Sequence, residues 1–416
     1  INDGPTAINV INQVKPDIYI KGVEYADADK DVTGKIAEEK NAIENAGGKL
    51  VFTDDIVFSS STLINKHLDI YDPKLREYLD NVRNKGLLDK IKSALNAVSN
   101  YKVLLVGDTI IDEYQHVTSM GKSAKENMIA VRFQNKELFA GGVIAAANHV
   151  ASICAEVEVI TCLGEYDSYE ELIRESLKPN IKLNVIHRTN SPTTRKSRFV
   201  EQPYVRKMFE VYFFEDSPLD ENTQKQLDKC IEDKIREFDL TIVTDFGHGM
   251  ISDSTIDILE KGSRFLAVNA QSNSANHGYN LVTKYPIADY ICIDAPEARL
   301  AVADKYSDIE VLISEKLTRE IHCPNIAVTH GDSGCITYSK GEGIDSIPAF
   351  TKTVVDTVGA GDAFLSITSP IVASGAPLEI VGFIGNAAGA LKVGIIGHRQ
   401  SVEKAPLVKY ITALLK

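Results

Sequence analysis

No Cys-x-x-Cys pair joins the six cysteines of this 416-residue chain, Cys154, Cys162, Cys230, Cys292, Cys323 and Cys335. Such scattered thiols argue against a zinc site or a dithiol redox motif and suit buried, reduced side chains in a cytoplasmic protein. No apolar run reaches the ~18 residues needed to span a bilayer. No basic, apolar, small-residue pattern marks a secretory signal. Positive charge is not in excess. The chain has 45 Lys and Arg against 58 Asp and Glu, a net charge of −13, which disfavours nucleic acid or an anionic membrane as partner. Low-complexity tracts are absent, and the composition (44% hydrophobic, 25% charged) is globular. The chain opens on Ile1 rather than Met, as a fragment or a processed product would.

What is present divides into three stretches. Residues 1–67 read as strand, helix, strand, helix. "PDIYIKG" and "KLVFTDD" are short strands, and "DVTGKIAEEKNAIENAGG" is a helix closed by Gly47 and Gly48. Two βα units are too little for an independent domain. Residues 68–100 are charged and helical, with Leu75, Leu79 and Val82, then Leu88, Ile91 and Leu95, at helical spacing; they read as a connector. From Tyr101 to Lys416, apolar strands alternate with helical patterns: "YKVLLVGD", "VEVITCLG", "LTIVTDFG", "RFLAVNAQ", "DYICID", "NIAVTHG". This alternation predicts an α/β fold with a largely parallel sheet covered on both faces. Ligands then sit beyond the carboxyl ends of the strands, where Asp108, Asp245, Asn269, Asp294 and Gly331 fall. Segments 112–142 and 193–215 alternate polar and apolar residues instead. They predict antiparallel strands outside the main sheet, a lid beside the cleft.

The stretch "DTVGAGDAFL", from Asp356 to Leu365, places glycines just before a helix. Backbone N–H groups there can face an anion, and the helix dipole favours negative charge. Asp362 on the first turn is placed to accept a proton. Together these can hold phosphate oxygens and deprotonate a hydroxyl, the requirements of in-line phosphoryl transfer. Taken as Gly-x-Gly alone, the stretch would be a helix cap. "GKS" at Gly121 to Ser123 is not a P-loop, because the earlier glycine would fall at His116.

The full Asp-Thr-x-Gly-Ala-Gly-Asp string resembles the signature of PfkB/ribokinase-type carbohydrate kinases, and the similarity extends over residues 101–416. The resemblance implies a ribokinase-like fold, ATP and Mg²⁺ as cofactors, and catalysis by Asp362 over the Gly359, Ala360 and Gly361 backbone. "VGDTIIDEY" resembles the strand whose aspartate holds sugar hydroxyls, with Asp112 in that place and Asp108 a second candidate. "FAGGVIAAANHVA" resembles the family's Gly-Gly and Asn element, implying that Gly141, Gly142 and Asn148 meet the sugar. "PTTRKSRFV" resembles the strand whose basic residues meet phosphates, implicating Lys196 and Arg198; a solvated strand face is the plain alternative. "IDAPEARL" resembles an Asn-x-x-Glu element, with Asp294 standing for the Asn and Glu297 acting on the metal through water. Thr329, Gly331 and Gly334 of "VTHGDSGCITY" and Asn386 of "NAAGALKVGIIGH" match the nucleotide side. The amide-rich "NAQSNSANHGYN" either adds Asn269 to the nucleotide site or forms side-chain turns. His248, in "DFGHGM", is left as structural.

With the kinase part, "KPDIYIKGVEY" and "AGGKLVFTDDIVFSSSTLIN" resemble bifunctional heptose-7-phosphate kinase/heptose-1-phosphate nucleotidyltransferases. Ser59 to Thr62 match the phosphate-contacting helix entry of the cytidylyltransferase-like domain. The His-x-Gly-His element of that domain is absent, so nucleotidyltransferase activity is not expected from residues 1–67. The substrate implied is a heptose 7-phosphate, phosphorylated at its anomeric oxygen. Lys122, Lys125, Arg195 and Arg198 are the candidate clamp for its existing phosphate, and the paired strands of the lid suggest a homodimer. Alternatives are a kinase for another sugar or sugar acid, or a non-catalytic nucleotide- or sugar-binding protein that keeps the fold.

Overall fold

The computed structural model describes residues 7–22, 36–53, 71–201 and 205–416. The chain forms two compact units, residues 1–83 with 405–416 and residues 84–404. In the first, strands β1 (Ile18–Gly22) and β2 (Lys49–Thr53) pair in parallel. The helix Ile36–Asn45 lies between them in sequence and ends before Gly47, whose φ of 86° suits glycine. Ile11, Ala42 and Ile43 form its small core. Ser59 to Thr62 lie outside the described residues.

The second unit holds β3 (Lys102–Gly107), β4 (Thr109–Lys122), β5 (Ile129–Gly142), β6 (Glu156–Tyr166), β7 (Ile181–Pro192), β8 (Arg195–Glu201), β9 (Arg206–Phe213), β10 (Leu240–Asp245), β11 (Leu266–Ala270), β12 (Tyr290–Asp294), β13 (Asn325–Thr329), β14 (Cys335–Ser339) and β15 (Gly343–Ile347). Nine of them make one sheet, in the order β15-β14-β13-β12-β11-β10-β3-β6-β7. All pairings from β13 to β7 are parallel; β14 and β15 add an antiparallel edge. Both faces are covered. Every residue of β10 and β11 is buried, as are Val103 to Val106 of β3. This is why those segments read as continuous apolar runs instead of alternating ones. Burying each such Val, Leu or Ile side chain contributes about 1.5–3 kcal/mol before entropy is counted.

The chain runs outward from β3 in both directions, so the order reverses between β3 and β10. Clefts in open parallel sheets form at such reversals. The strands β4, β5, β8 and β9 build a separate four-stranded sheet, in the order β5-β4-β8-β9. β4 begins at Thr109, a few residues earlier than its polar-apolar alternation indicates, and pairs in parallel with β8. The cysteines are free, and burial drives Cys154, Cys162 and Cys323 up to about 12. Among the described residues no helix is long and apolar enough to cross a membrane.

Candidate active site

The two aspartates of "DTVGAGD" have opposite environments. Asp356 is fully engaged. Its carboxylate accepts from Tyr114 Oη at 2.6 Å, Lys207 Nζ at 2.7 Å, the Gly397 amide at 2.8 Å and the Val358 amide at 3.1 Å. Burial alone would raise its pKa, but Lys207, Tyr114 and the two amides hold it below the ordinary aspartate range. Asp362 is 7% exposed, and its Oδ1 has no hydrogen-bond partner among the described residues. Burial lifts its pKa above the ordinary range; Asp112 pushes the same way, and His398, Lys392 and Lys196 oppose. The turn between them is held by Asp356, while Asp362 stands free on the first turn of the helix Ala360–Ala373. Gly359 caps that helix at φ 77°, and a Cβ there would come within 2.6 Å of His398 Cε1. The geometry of this turn therefore depends on glycine.

On one side of Asp362 lies a polar cluster. Side chains alternate across a strand, so Asp112 and Tyr114 of β4 share a face with Lys196 and Arg198 of β8, their register partners. Asp112 pairs with Arg198 and faces His398 Nε2 at 3.1 Å. Burial alone would raise its pKa, but Arg198 and His398 hold it well below the ordinary range. A Cβ on Gly141 would strike the Asp112 carboxylate and approach His398 Nε2 at 3.1 Å, so Gly141 belongs to this cluster. Lys196 is buried, with its ammonium 5.3 Å from the Tyr212 ring centre, and burial lowers its pKa.

On the other side lies a cavity of about 670 Å³. Ala360, Gly361, Thr329, Gly331, Gly334 and Asn386 line it. Asn386 donates to the Ile347 and Pro348 carbonyls at 3.0 Å each, which pins the end of β15 to the cavity. Nearby, Asp294 caps the helix Ala295–Ala301 in a reciprocal box. Its Oδ1 accepts from the Glu297 amide at 2.7 Å, and Glu297 Oε2 accepts from the Asp294 amide at 2.9 Å. Burial and the Asp294 charge push Glu297 up to about 8.

Several sequence candidates fall elsewhere. Asp108 accepts from the Phe246 amide at 2.9 Å and anchors the loop after β10. Gly142 starts the helix Val143–Val150 at φ 59°. Asn148 donates to the Ser176 carbonyl and accepts from the Lys178 amide, both at 3.1 Å, and lines a second cavity together with Ala140 and His398. In the amide-rich run, Asn273, Asn276 and Asn280 bond the backbone at Phe246, Gln271 and Asp245, forming a structural clasp. Asn269 bonds the Cys292 carbonyl at 2.7 Å and keeps a buried Oδ1 with no partner among the described residues. The four-residue clamp does not converge. Lys122 lies eight residues beyond Tyr114 on β4, roughly 26 Å at strand rise, and Lys125 follows it in the exposed link to β5. Arg195 faces away from Arg198, paired with Glu113 at 2.5 Å over the Phe213 ring. His398 and Lys392 were missed. Both lie in "LKVGIIGH", and only the packing of that turn against residues 356–359 reveals them.

A doubly covered parallel sheet with a separate small sheet beside its carboxyl-end cleft defines a ribokinase-like α/β protein. The comparisons name the family. The model described as "pfkB family carbohydrate kinase" matches residues 100–405, and the chain belongs to that family. Among curated relatives, the bifunctional protein HldE of a Nitratiruptor species is 26% identical over 326 residues, covering 74% of this chain and 67% of that protein. HldE of Rhodopseudomonas palustris is 28% identical over 325 residues, covering 76% and 64%. The chain thus spans about two thirds of the length of these relatives. Among solved structures, Thermotoga maritima ribokinase aligns with a TM-score of 0.59 at 20% identity, over 75% of this chain and 99% of that one. Escherichia coli phosphofructokinase-2 in complex with fructose-6-phosphate aligns at 0.60 and 13%, over 76% and 100%. Arabidopsis thaliana ribokinase complexed with ribose and ATP aligns at 0.57 and 15%, over 75% and 99%.

Proposed function

We propose that this carbohydrate kinase transfers the terminal phosphoryl group of ATP to heptose 7-phosphate, at the anomeric oxygen. The observation that carries the reading is the buried, unpartnered Asp362 carboxylate, which stands between a nucleotide-sized cavity and a polar cluster suited to a sugar. Asp362 takes the proton of the acceptor hydroxyl. The freed oxygen bonds to the terminal phosphorus as the bond to the ADP oxygen breaks. The Gly359 and Gly361 amides and the helix dipole bind the charge carried on the transferred group. Asp112 and Gly141 meet the sugar, and Lys196 and Arg198 are the cations nearest the acceptor.

Among the described residues no group of three or more His, Cys, Asp or Glu side chains is disposed to hold a metal. Asp294 and Glu297, both raised by burial, instead fit Mg²⁺ that takes most of its ligands from phosphate oxygens and water. Bound there, Mg²⁺ would offset the charge of the phosphates. The heptose assignment draws on the HldE relatives. Coupled ADP release across heptose 7-phosphate, fructose phosphates, ribose and nucleosides tests it; turnover confined to an unphosphorylated sugar refutes it.

We read the four-stranded sheet as a lid and as the seam of a homodimer. Phe209, Val211 and Phe213 alternate along β9 and are 46%, 39% and 43% exposed, an apolar strip that a second copy would cover. A monomer in sedimentation equilibrium at micromolar concentration overturns this. Residues 1–67 are read as the C-terminal part of a nucleotidyltransferase-like domain, supported by the parallel β1–β2 pairing. Pyrophosphate release from CTP or ATP with heptose 1-phosphate would contradict its expected inactivity.

A further inference from the structure

Lys392 is the last residue of the helix Leu378–Lys392, and its side chain is wholly buried. Among the described residues it has no carboxylate at contact distance. Its ammonium donates to two backbone carbonyls, Val358 at 2.7 Å and Gly397 at 2.7 Å. These belong to two glycine-containing turns that are bolted together here. The amides of Val355 and Asp356 both donate to the Val393 carbonyl, at 2.8 and 3.1 Å, and the Gly397 amide donates to Asp356. A Cβ on Gly359 would lie 3.2 Å from Lys392 Cε, so the lysine stem runs directly behind the turn that carries Gly359, Ala360 and Gly361. Asp356 and Asp362 are the acidic groups that act on it most strongly.

A desolvated positive centre ringed by main-chain carbonyls is the coordination of a bound monovalent cation, whose hydration shell the carbonyls replace. Lys392 delivers the same charge on a tether. It sits at the carboxyl end of its helix, where the dipole favours a cation. Its partners turn their carbonyls toward it, so the Gly359 amide, in the same trans peptide plane as the Val358 carbonyl, points the opposite way.

We propose that the Lys392 ammonium acts as a built-in monovalent cation behind the phosphate-binding turn, a positioning residue that makes this kinase independent of free potassium. The inference rests on the reading of Gly359–Gly361 as the seat of the transferred phosphate. It does not depend on which sugar is the acceptor.

The test is calorimetric binding of the ATP analogue AMP-PNP with Mg²⁺, in choline, potassium or ammonium chloride at one ionic strength. Wild-type affinity should agree within about twofold across the three salts. Lys392→Ala opens room for an ion and leaves two carbonyls without donors. It should bind about tenfold more weakly in choline, with most of the loss recovered in potassium or ammonium. Lys392→Met fills the space and should stay weak in all three. Three results would overturn the inference: a wild type that gains several-fold on adding potassium, an alanine variant that binds as wild type in choline, or a folded alanine variant that no cation restores. The wild-type arm needs no variant to fold. Failure of the underlying reading looks different: no AMP-PNP binding by wild type in any salt removes the phosphate site and the inference with it.

Discussion

Replacing Asp362 with asparagine should separate turnover from stability. The substitution is nearly isosteric, and Asp362 Oδ1 has no hydrogen-bond partner to lose. The carboxylate is 7% exposed, so its charge is held at a desolvation cost that the amide does not carry. Thermal stability should therefore stay level or rise, by roughly 1 kcal/mol. Turnover should fall by about 10²–10⁴-fold, the loss expected when a general base is removed, which is roughly 3–5 kcal/mol of barrier. Binding of AMP-PNP should change little, because the amides of Gly359 to Gly361 remain. The pH profile adds a sign. The folded pKa of Asp362 is raised, so the wild type should lose activity on acidification starting above the ordinary aspartate range. The residual rate of the asparagine variant should lack that limb. Coupled ADP release and melting curves on the same samples give all of these readings. Near-normal turnover would refute the general-base role, and a large drop in melting temperature would refute the claim that the carboxylate is held without partners.

Two further predictions follow from the same turn and its neighbours. Gly359→Ala should lower stability by about 1–2 kcal/mol through the positive φ alone, with an added loss of turnover as the new methyl displaces His398; unchanged kinetics would mean that the turn has slack. Glu297 has a folded pKa of about 8 against an ordinary 4.5, so the folded state binds the extra proton between those values. Stability is full below about 4.5 and is lost as pH rises through 8, on the order of 5 kcal/mol. Glu297→Gln should flatten the melting temperature between pH 6 and 9 in the absence of nucleotide, and an unchanged slope would reject the assignment.

The parallel sheet was legible because burial on both faces leaves continuous apolar runs, and the Gly359–Asp362 turn because the full Asp-Thr-x-Gly-Ala-Gly-Asp string is far more specific than Gly-x-Gly alone. What could not be read was convergence. The tie of Asn148 to the backbone at residues 176–178 left no trace in its motif. Lys122 and Lys125 were grouped with Arg198 by charge, but β4 is long enough to carry them away. In the amide-rich run, Asn273, Asn276 and Asn280 bond the backbone at Phe246, Gln271 and Asp245, mostly far away in sequence, while Asn269 keeps a buried Oδ1 without a partner among the described residues. His398 and Lys392 carried no motif. Their positions follow from one main-chain stitch, Val355 and Asp356 onto Val393, and long-range stitches leave no periodic trace.

The nucleotide-side cavity takes every lining residue from positions 329–393 and none from β4, β5, β8 or β9. Asp112, Gly141, Lys196 and Arg198, by contrast, all belong to those four strands. On the proposed function, the nucleotide and sugar contacts thus fall largely in different stretches of the chain, with Asp362, from the cavity's own stretch, and His398, just beyond it, reaching the sugar cluster. A recombinant that grafts the four strands from a kinase of different taste onto this sheet would inherit a new menu while keeping its fuel supply, which gives a route by which one ancestral engine could diversify.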